Sequence, residues 1–398
     1  MKQLNILICG GGCAGPSLAF WLARAGHHVT IVERFPALRA TGAQIDIRDQ
    51  GIVLLKRMGL LETVRSKRVH EAGFSFVDAQ GRCKATIMAN TSGNGPQTMT
   101  SEYEIMRGDL VRILYDATRD SVDYIFGKTV EHFEQDEHSV TVRFSDGMTG
   151  TYDVLVGADG QGSRIRAAIQ PADAPDPVRH LGAYLAYWYI PRISTDEQIC
   201  KLYHVPGSRM IMSRTHSPTE GQAQFLLRDD SEELRSMPRA SLDTQKQFWS
   251  SRFHGAGWQT ERFIQGLQTT ENFYCAEAVQ IHTDTWSKGR VVLLADAAHC
   301  PSPMTAMGTT SGLVGAYVLA GEINQKQRRS PPSSFKPWMM RLLLPETGFA
   351  IGLIHFFAWL LVVFADAGIR GFVHPGKQGG VAVTGVSATG EDEVRNIA

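Results

Sequence analysis

Neither sign of charge is in excess: 40 Lys+Arg stand against 40 Asp+Glu in 398 residues. A nucleic-acid binder would carry a basic surplus on some face or segment, so no nucleic-acid partner is expected. With 43% hydrophobic residues the chain lacks both the strongly charged make-up of a disordered polymer and the apolar content of a polytopic membrane protein. Cysteines are few and scattered. Cys9, Cys13, Cys83, Cys200, Cys275 and Cys300 show no clustered spacing, which argues against a disulfide framework or a zinc set and for a reducing, cytoplasmic compartment. No His-Glu-x-x-His run occurs, so no metal site is expected, and His299, three residues after Asp296, reads as a packing residue. Strand-like Leu4 to Ile8 follow at once on residues 1–3, which leaves no room for a cleavable leader, and no secretory signal is expected. Nothing repeats with a fixed period.

What is present begins with a β-loop-α-β unit. At roughly 100–200 residues per domain the length allows two domains, or one large domain with an elaboration. Leu4 to Ile8 form an apolar strand, Gly10 to Gly15 a glycine loop, and Pro16 to Ala25 a helix with Leu18, Trp21, Leu22 and Ala25 at helical spacing. Gly26 supplies a left-handed stop, and Val29 to Val32 form a second strand that ends in Glu33. In that context Gly10-x-Gly12-x-x-Gly15 is a dinucleotide fingerprint: the backbone can turn tightly and approach a pyrophosphate at the helix N-terminus. Glu33 is placed to accept hydrogen bonds from a ribose. The motif alone leaves NAD, FAD and S-adenosylmethionine open.

Two later segments narrow the choice. Strand-like Val154 to Gly157 delivers Asp159-Gly160 and then Arg164 and Arg166, and strand-like Val291 to Leu294 delivers Asp296 into a Pro-rich loop before a helix from Thr309 to Ile323. A further helix is expected over Gly108 to Ala117, following Arg107. The middle, about 175–280, is strand-rich and aromatic, as a pocket wall would be.

With these motifs in this order, over about residues 4–325, the chain resembles the class A flavoprotein monooxygenases, which carry one FAD and need no separate reductase. The Cys300 to Pro303 and Met307 to Thr309 runs look most like the branch of tetracycline-modifying and fungal natural-product enzymes. The resemblance implies an α/β fold: a Rossmann-like FAD-binding domain of the PHBH type, an inserted mixed β-sheet substrate domain and a C-terminal helical tail. Its expected boundaries are 1–70, 100–170 and 283–330 for the FAD-binding domain and 71–99 with 171–282 for the substrate domain. By the same resemblance Gly10, Gly12, Gly15 and Glu33 bind the ADP half of FAD, Gly42 and Ala43 lie along the cofactor, and Arg107 reaches its phosphates or ribityl chain. Asp296 holds the ribityl or pyrophosphate region, Gly308 and Thr309 offer N–H groups near the flavin ring, and Asp159 falls where FAD and the nicotinamide meet. Tyr184, Tyr187 and Tyr203 are candidates for the substrate pocket. NADPH or NADH is the implied reductant, O₂ the co-substrate, and the substrate a small hydrophobic natural product that is hydroxylated or epoxidised.

The family usually has glycine where this chain has Ala295 and Ala306. If either must adopt positive φ, an alanine there costs roughly a kilocalorie. Two other functions were weighed: a flavin halogenase, because Trp188-Tyr189-Ile190-Pro191 half-matches a Trp-x-Trp-x-Ile-Pro signature, and a cofactor-poor binding protein of the same fold. A methyltransferase would account for the first motif but not for the segments around Asp159 and Asp296. Residues 331–375 are expected to form an apolar helical segment and 376–398 a polar, disordered tail. Within the former, 348–365 is apolar except for His355, and as a helix it would span about 27 Å, near the lower limit for crossing a bilayer. Burial against the rest of the protein and attachment to a membrane are both open for it.

Overall fold

The first strand, Asn5–Cys9, alternates its side chains between two cores, and this alternation organises the cofactor half of the molecule. Ile6 and Ile8 pack with Leu18 and Leu22 of the helix Ala14–Arg24 and with Ala316 and Ala320 of the helix Gly308–Gln325. Leu7 and Cys9 face the other way, toward Val140, Val142 and Phe144. The computed structural model describes residues 3–90, 100, 102–229 and 231–325. The expected segments at 331–375, 348–365 and 376–398 lie outside the described residues.

Asn5–Cys9 sits near the centre of a six-stranded sheet, with parallel partners Val154–Gly157 on one side and His28–Glu33 on the other. Val291–Leu293 extends the sheet beyond the former and Asp123–Phe126 beyond the latter, both in parallel; a short antiparallel strand, Ser287–Lys288, closes the edge. Helices cover one face and a three-stranded antiparallel sheet, Val130–Gln135, Val140–Phe144 and Thr149–Tyr152, covers the other. In a parallel sheet built this way, the loops after the strands gather at the C-terminal edge, where a ligand crevice forms. The loops that start at Gly10, Ala158 and Leu294 all leave that edge.

A second, eight-stranded mixed sheet carries the aromatic middle of the sequence. Its long central strand, Val178–Pro191, pairs antiparallel with Glu220–Arg228 and Phe273–His282; Arg209–Thr215, Cys200–Val205, Gly73–Val77 and Cys83–Met88 continue it to one edge. Period-two alternation again divides the residues. Tyr184, Ala186, Trp188 and Ile190 point outward into a core with Phe225 and with Trp249, Phe253 and Phe263 of the covering helices Leu242–Phe253 and Thr260–Thr269. Leu185 belongs to the opposite, inner face, with Phe74, Phe76, Met210 and Leu226.

The expected elements are present with small shifts at their ends: helices Ala14–Arg24 and Arg107–Asp116, and Gly26 at φ 86° just beyond the first of them. Among the described residues, no helix is long and apolar enough to cross a membrane.

Candidate functional site

The glycine loop is a cradle that side chains would fill. A Cβ on Gly15 would run into the carbonyl oxygen of Gly10, and one on Gly10, which holds φ 117°, into the carbonyl oxygen of Ala158. Gly12 stands beside the Arg107 guanidinium. No side chain caps the helix that starts at Ala14, and its first turn holds no acidic residue, so its N–H groups remain available to an anion. Glu33, at the end of the second strand, steadies the loop from the far side. Its Oε2 accepts from the Gly11 N–H at 2.7 Å and its Oε1 from the Phe35 N–H at 3.1 Å.

Around this cradle lies a cleft of about 710 Å³. Its walls bring together Gly10, Gly12, Glu33, Gly42, Ala43, Arg107, Asp159 and Asp296, eight of the residues singled out in the sequence. Arg107 is tied to the loop it faces: its Nη1 donates to Thr41 O at 3.0 Å and its backbone N–H to Ala43 O at 3.1 Å. Asp159 is held inward by the Ser163 hydroxyl at 2.5 Å and the Arg164 N–H at 2.8 Å. Arg166 fastens this loop to the next, donating to Gln161 O at 2.5 Å and to Ala297 O at 3.0 Å. Burial pushes the Asp296 carboxyl above its ordinary range, opposed by a hydrogen bond with Cys300 and by the Arg107 cation. Burial also pushes the Cys300 thiol up to about 12, so it stays neutral. A glycine cradle, an uncapped helix N-terminus and a cation on the same cleft fit a dinucleotide pyrophosphate.

The remaining sequence candidates stand elsewhere. Gly15 acts behind the cradle as the close-packing residue rather than on the cleft wall. Gly308 and Thr309 form the first turn of the helix Gly308–Gln325, and the space where Gly308 would carry a side chain is open. Of the three tyrosines only Tyr187 lines the cleft, donating its hydroxyl to Gly42 O at 3.3 Å. Tyr184 and Tyr203 belong to the outer core, and Tyr203 donates to Ala256 O at 2.7 Å. Strand parity is the reason, since Tyr184 is three residues from Tyr187 and must point the other way. Trp188, the half-signature residue, is likewise a core side chain whose Nε1 donates to Phe263 O. The sequence candidates omit Arg39, Thr41, Phe273 and Tyr274, which also line the cleft. Arg39 could have been found as a cation following the acid-tipped second strand; Tyr274 carried no signal until its pairing with Tyr187 placed it on the same face.

Both alanines that replace family glycines adopt left-handed backbone, Ala295 at φ 52° and Ala306 at φ 53°. Their surroundings differ. The Ala295 methyl packs into the core beneath the Gly308–Gln325 helix, which offsets its strain, whereas Ala306 is exposed. Ala306→Gly should therefore stabilise the protein by about 0.5–1 kcal/mol, and Ala295→Gly should be nearly neutral. Thermal melts of the two variants check this ordering.

Behind the cleft, where the strands Gln44–Asp46 and Glu104–Met106 meet the inner face of the eight-stranded sheet, lies a buried charge cluster. Arg214 Nη2 sits 2.9 Å from Glu71 and 3.4 Å from Glu104, while Arg48 pairs with Asp46 at 2.7 Å. Burial, opposed by Arg214 and reinforced by Glu71 and Asp46, raises the Glu104 carboxyl from 4.5 to about 8. Folded Glu104 keeps a proton that the unfolded chain loses above 4.5, so its contribution to stability is complete below that pH and is lost as pH rises through about 8. Urea midpoints of the wild-type protein should fall across this window, and those of Glu104→Gln should fall less.

Comparison with known proteins is consistent with this geometry. Residues 3–329 match the family described as FAD binding domain. The FAD-dependent monooxygenase asL4 of Sarocladium schorii is 42% identical over 327 residues, covering 81% of this chain and 76% of that protein. The flavin-dependent monooxygenase eupH of Phoma sp is 40% identical over 389 residues, covering 88% of this chain and 90% of that protein. Among solved structures, tetracycline destructase Tet(51) matches with a TM-score of 0.70 at 30% identity, covering 92% of this chain and 94% of that one.

Proposed function

Because the chain belongs to the FAD binding domain family and is a flavin-dependent monooxygenase, we propose that it takes electrons from NADPH or NADH and oxygen from O₂ to hydroxylate or epoxidise a hydrophobic, aromatic or polycyclic natural product. The observation that carries this reading is the shared cleft. Gly10, Arg107 and Asp296 line one side, and Leu185, Tyr187, Tyr189 and Tyr274 from the inner face of the eight-stranded sheet line the other. An anion cradle and an aromatic wall thus open on one space, as an enzyme that brings a dinucleotide against an apolar substrate requires.

When bound, FAD would supply the redox chemistry that passes electrons from a nicotinamide to O₂. The protein's part is to bind, orient and shield. Glycine-loop N–H groups and Arg107 would hold the pyrophosphate, Glu33 the ribose, and Asp296 the ribityl region. Gly308 and Thr309, at the start of the helix Gly308–Gln325, would offer N–H groups to the flavin ring, while the tyrosine wall would exclude water and seat the substrate. The six unpaired cysteines suit a reducing, cytoplasmic site of action.

Anaerobic stopped-flow mixing of the oxidised protein with NADPH, and separately with NADH, tests the single-component reading. At least one should bleach the flavin band without a partner protein. If neither does, and an added flavin reductase restores turnover, electrons arrive from a reductase and the reading is wrong.

A further inference from the structure

The segment 39–45 supplies five residues to the cleft, Arg39, Thr41, Gly42, Ala43 and Ile45, and it is gripped from both sides. Arg107 holds it from the cofactor half, through Thr41 and Ala43. From the substrate sheet, Tyr187 reaches Gly42, and a second contact follows two residues later. Gln222, on the strand Glu220–Arg228, donates its Nε2 to Gln44 Oε1 at 3.0 Å and accepts the Gln44 backbone N–H on its Oε1 at 3.4 Å. One side chain thus reads both the main chain and the side chain of Gln44 across 178 residues of sequence. The Gln44 amide nitrogen, in turn, donates to Glu104 and, at 3.5 Å, to Glu71.

Both glutamines are buried, Gln222 completely, so the pair is made in a medium where losing a partner is costly. Gln222 also stands on a stiff support. Its strand is hydrogen-bonded on both sides, with Tyr189 as its register partner in Val178–Pro191 and Arg214 in Arg209–Thr215. Tyr189 lines the cleft. A strand paired to the one that lines the cleft therefore fixes a loop of the cofactor wall through one neutral amide pair. An apolar residue at 222 would fill the space without fixing the loop.

We propose that Gln222 is a positioning residue for the flavin: by clamping Gln44 it seats Gly42 and Ala43 against the cofactor, so that the substrate sheet sets the flavin's placement. The inference rests on the reading that segment 39–45 lies along FAD.

Gln222→Met keeps length and volume and removes both hydrogen bonds to Gln44, and Gln222→Glu keeps an acceptor for the Gln44 N–H but replaces the donor by an acid facing the Gln44 amide oxygen. FAD titration of the apo-protein should show affinity reduced on the order of tenfold in Gln222→Met, for two hydrogen bonds of about a kilocalorie or less net, and reduced also in Gln222→Glu, where the lost donor leaves a carboxylate oxygen against the Gln44 amide oxygen. At saturating FAD the visible circular dichroism of the bound flavin should differ from wild type. Should Gln222→Met fail to fold, Gln222→Glu carries the same test. Phe253→Leu, in the outer core, serves as the comparison for lost stability alone. It should lower the melting temperature while leaving FAD affinity and the flavin signal unchanged. Wild-type affinity and signal in the Gln222 variants, or equal changes in Phe253→Leu, would overturn the proposal. Glu33→Ala separates the two levels of the argument: if it also retains full FAD affinity, the cofactor placement itself is wrong and the clamp falls with it. If Glu33→Ala loses FAD and the Gln222 variants do not, only the clamp is wrong.

Discussion

Gly15→Ala should give a folded but colourless protein. The added methyl would occupy the position of the Gly10 carbonyl oxygen, and both belong to backbone packed tightly between the first strand and its helix, so no flexible side chain can yield. Forcing the helix outward costs about 1–3 kcal/mol by the usual scale of overpacking, or roughly 1–4 °C in melting temperature for a protein of this size. The larger effect falls on binding, because the helix N-terminus moves away from the pyrophosphate it should meet. Far-ultraviolet circular dichroism should report a native fold, and the flavin absorbance of the purified variant should be close to zero.

Arg107→Ala should weaken FAD binding by about 10–100-fold, the equivalent of a charged hydrogen bond worth about 1.5–3 kcal/mol. Two losses coincide. The cation beside Gly12 disappears, and so does the tie from Nη1 to Thr41 O that steadies segment 39–45. Arg107→Lys should recover only part of the affinity, because a single ammonium cannot span a phosphate and the Thr41 carbonyl as a planar guanidinium can. Fluorescence titration of the apo-proteins with FAD measures both variants.

The cofactor half was legible because its chemistry is written in contiguous residues. Gly10 to Gly15, the apolar strand before them and Glu33 after them are fixed by one β-α-β unit, and the Asp159 and Asp296 loops leave parallel strands at the same edge of the sheet. The substrate half was legible as a sheet but not as a surface. In Val178–Pro191 aromatic residues occupy both parities, so composition could not say whether Tyr184 or Tyr187 faces the cleft; the helices Leu242–Phe253 and Thr260–Thr269 decide it by covering one face. The Gln44–Gln222 clamp was invisible because the two residues are 178 apart and each alone reads as an ordinary polar residue in a strand. At Ala306 the departure from the family pattern marked the position, and its φ of 53° supplied the reason why glycine suits it.

The most direct measurement is the flavin content of purified wild type, Glu33→Ala and Asp296→Ala, with the fold of each checked by circular dichroism. One FAD per wild-type chain and largely colourless, folded variants is the expected result, since Glu33 and Asp296 line one cleft and would serve different parts of one ligand. Full flavin occupancy in both variants would contradict the placement of FAD in that cleft, and with it the functional account built on it.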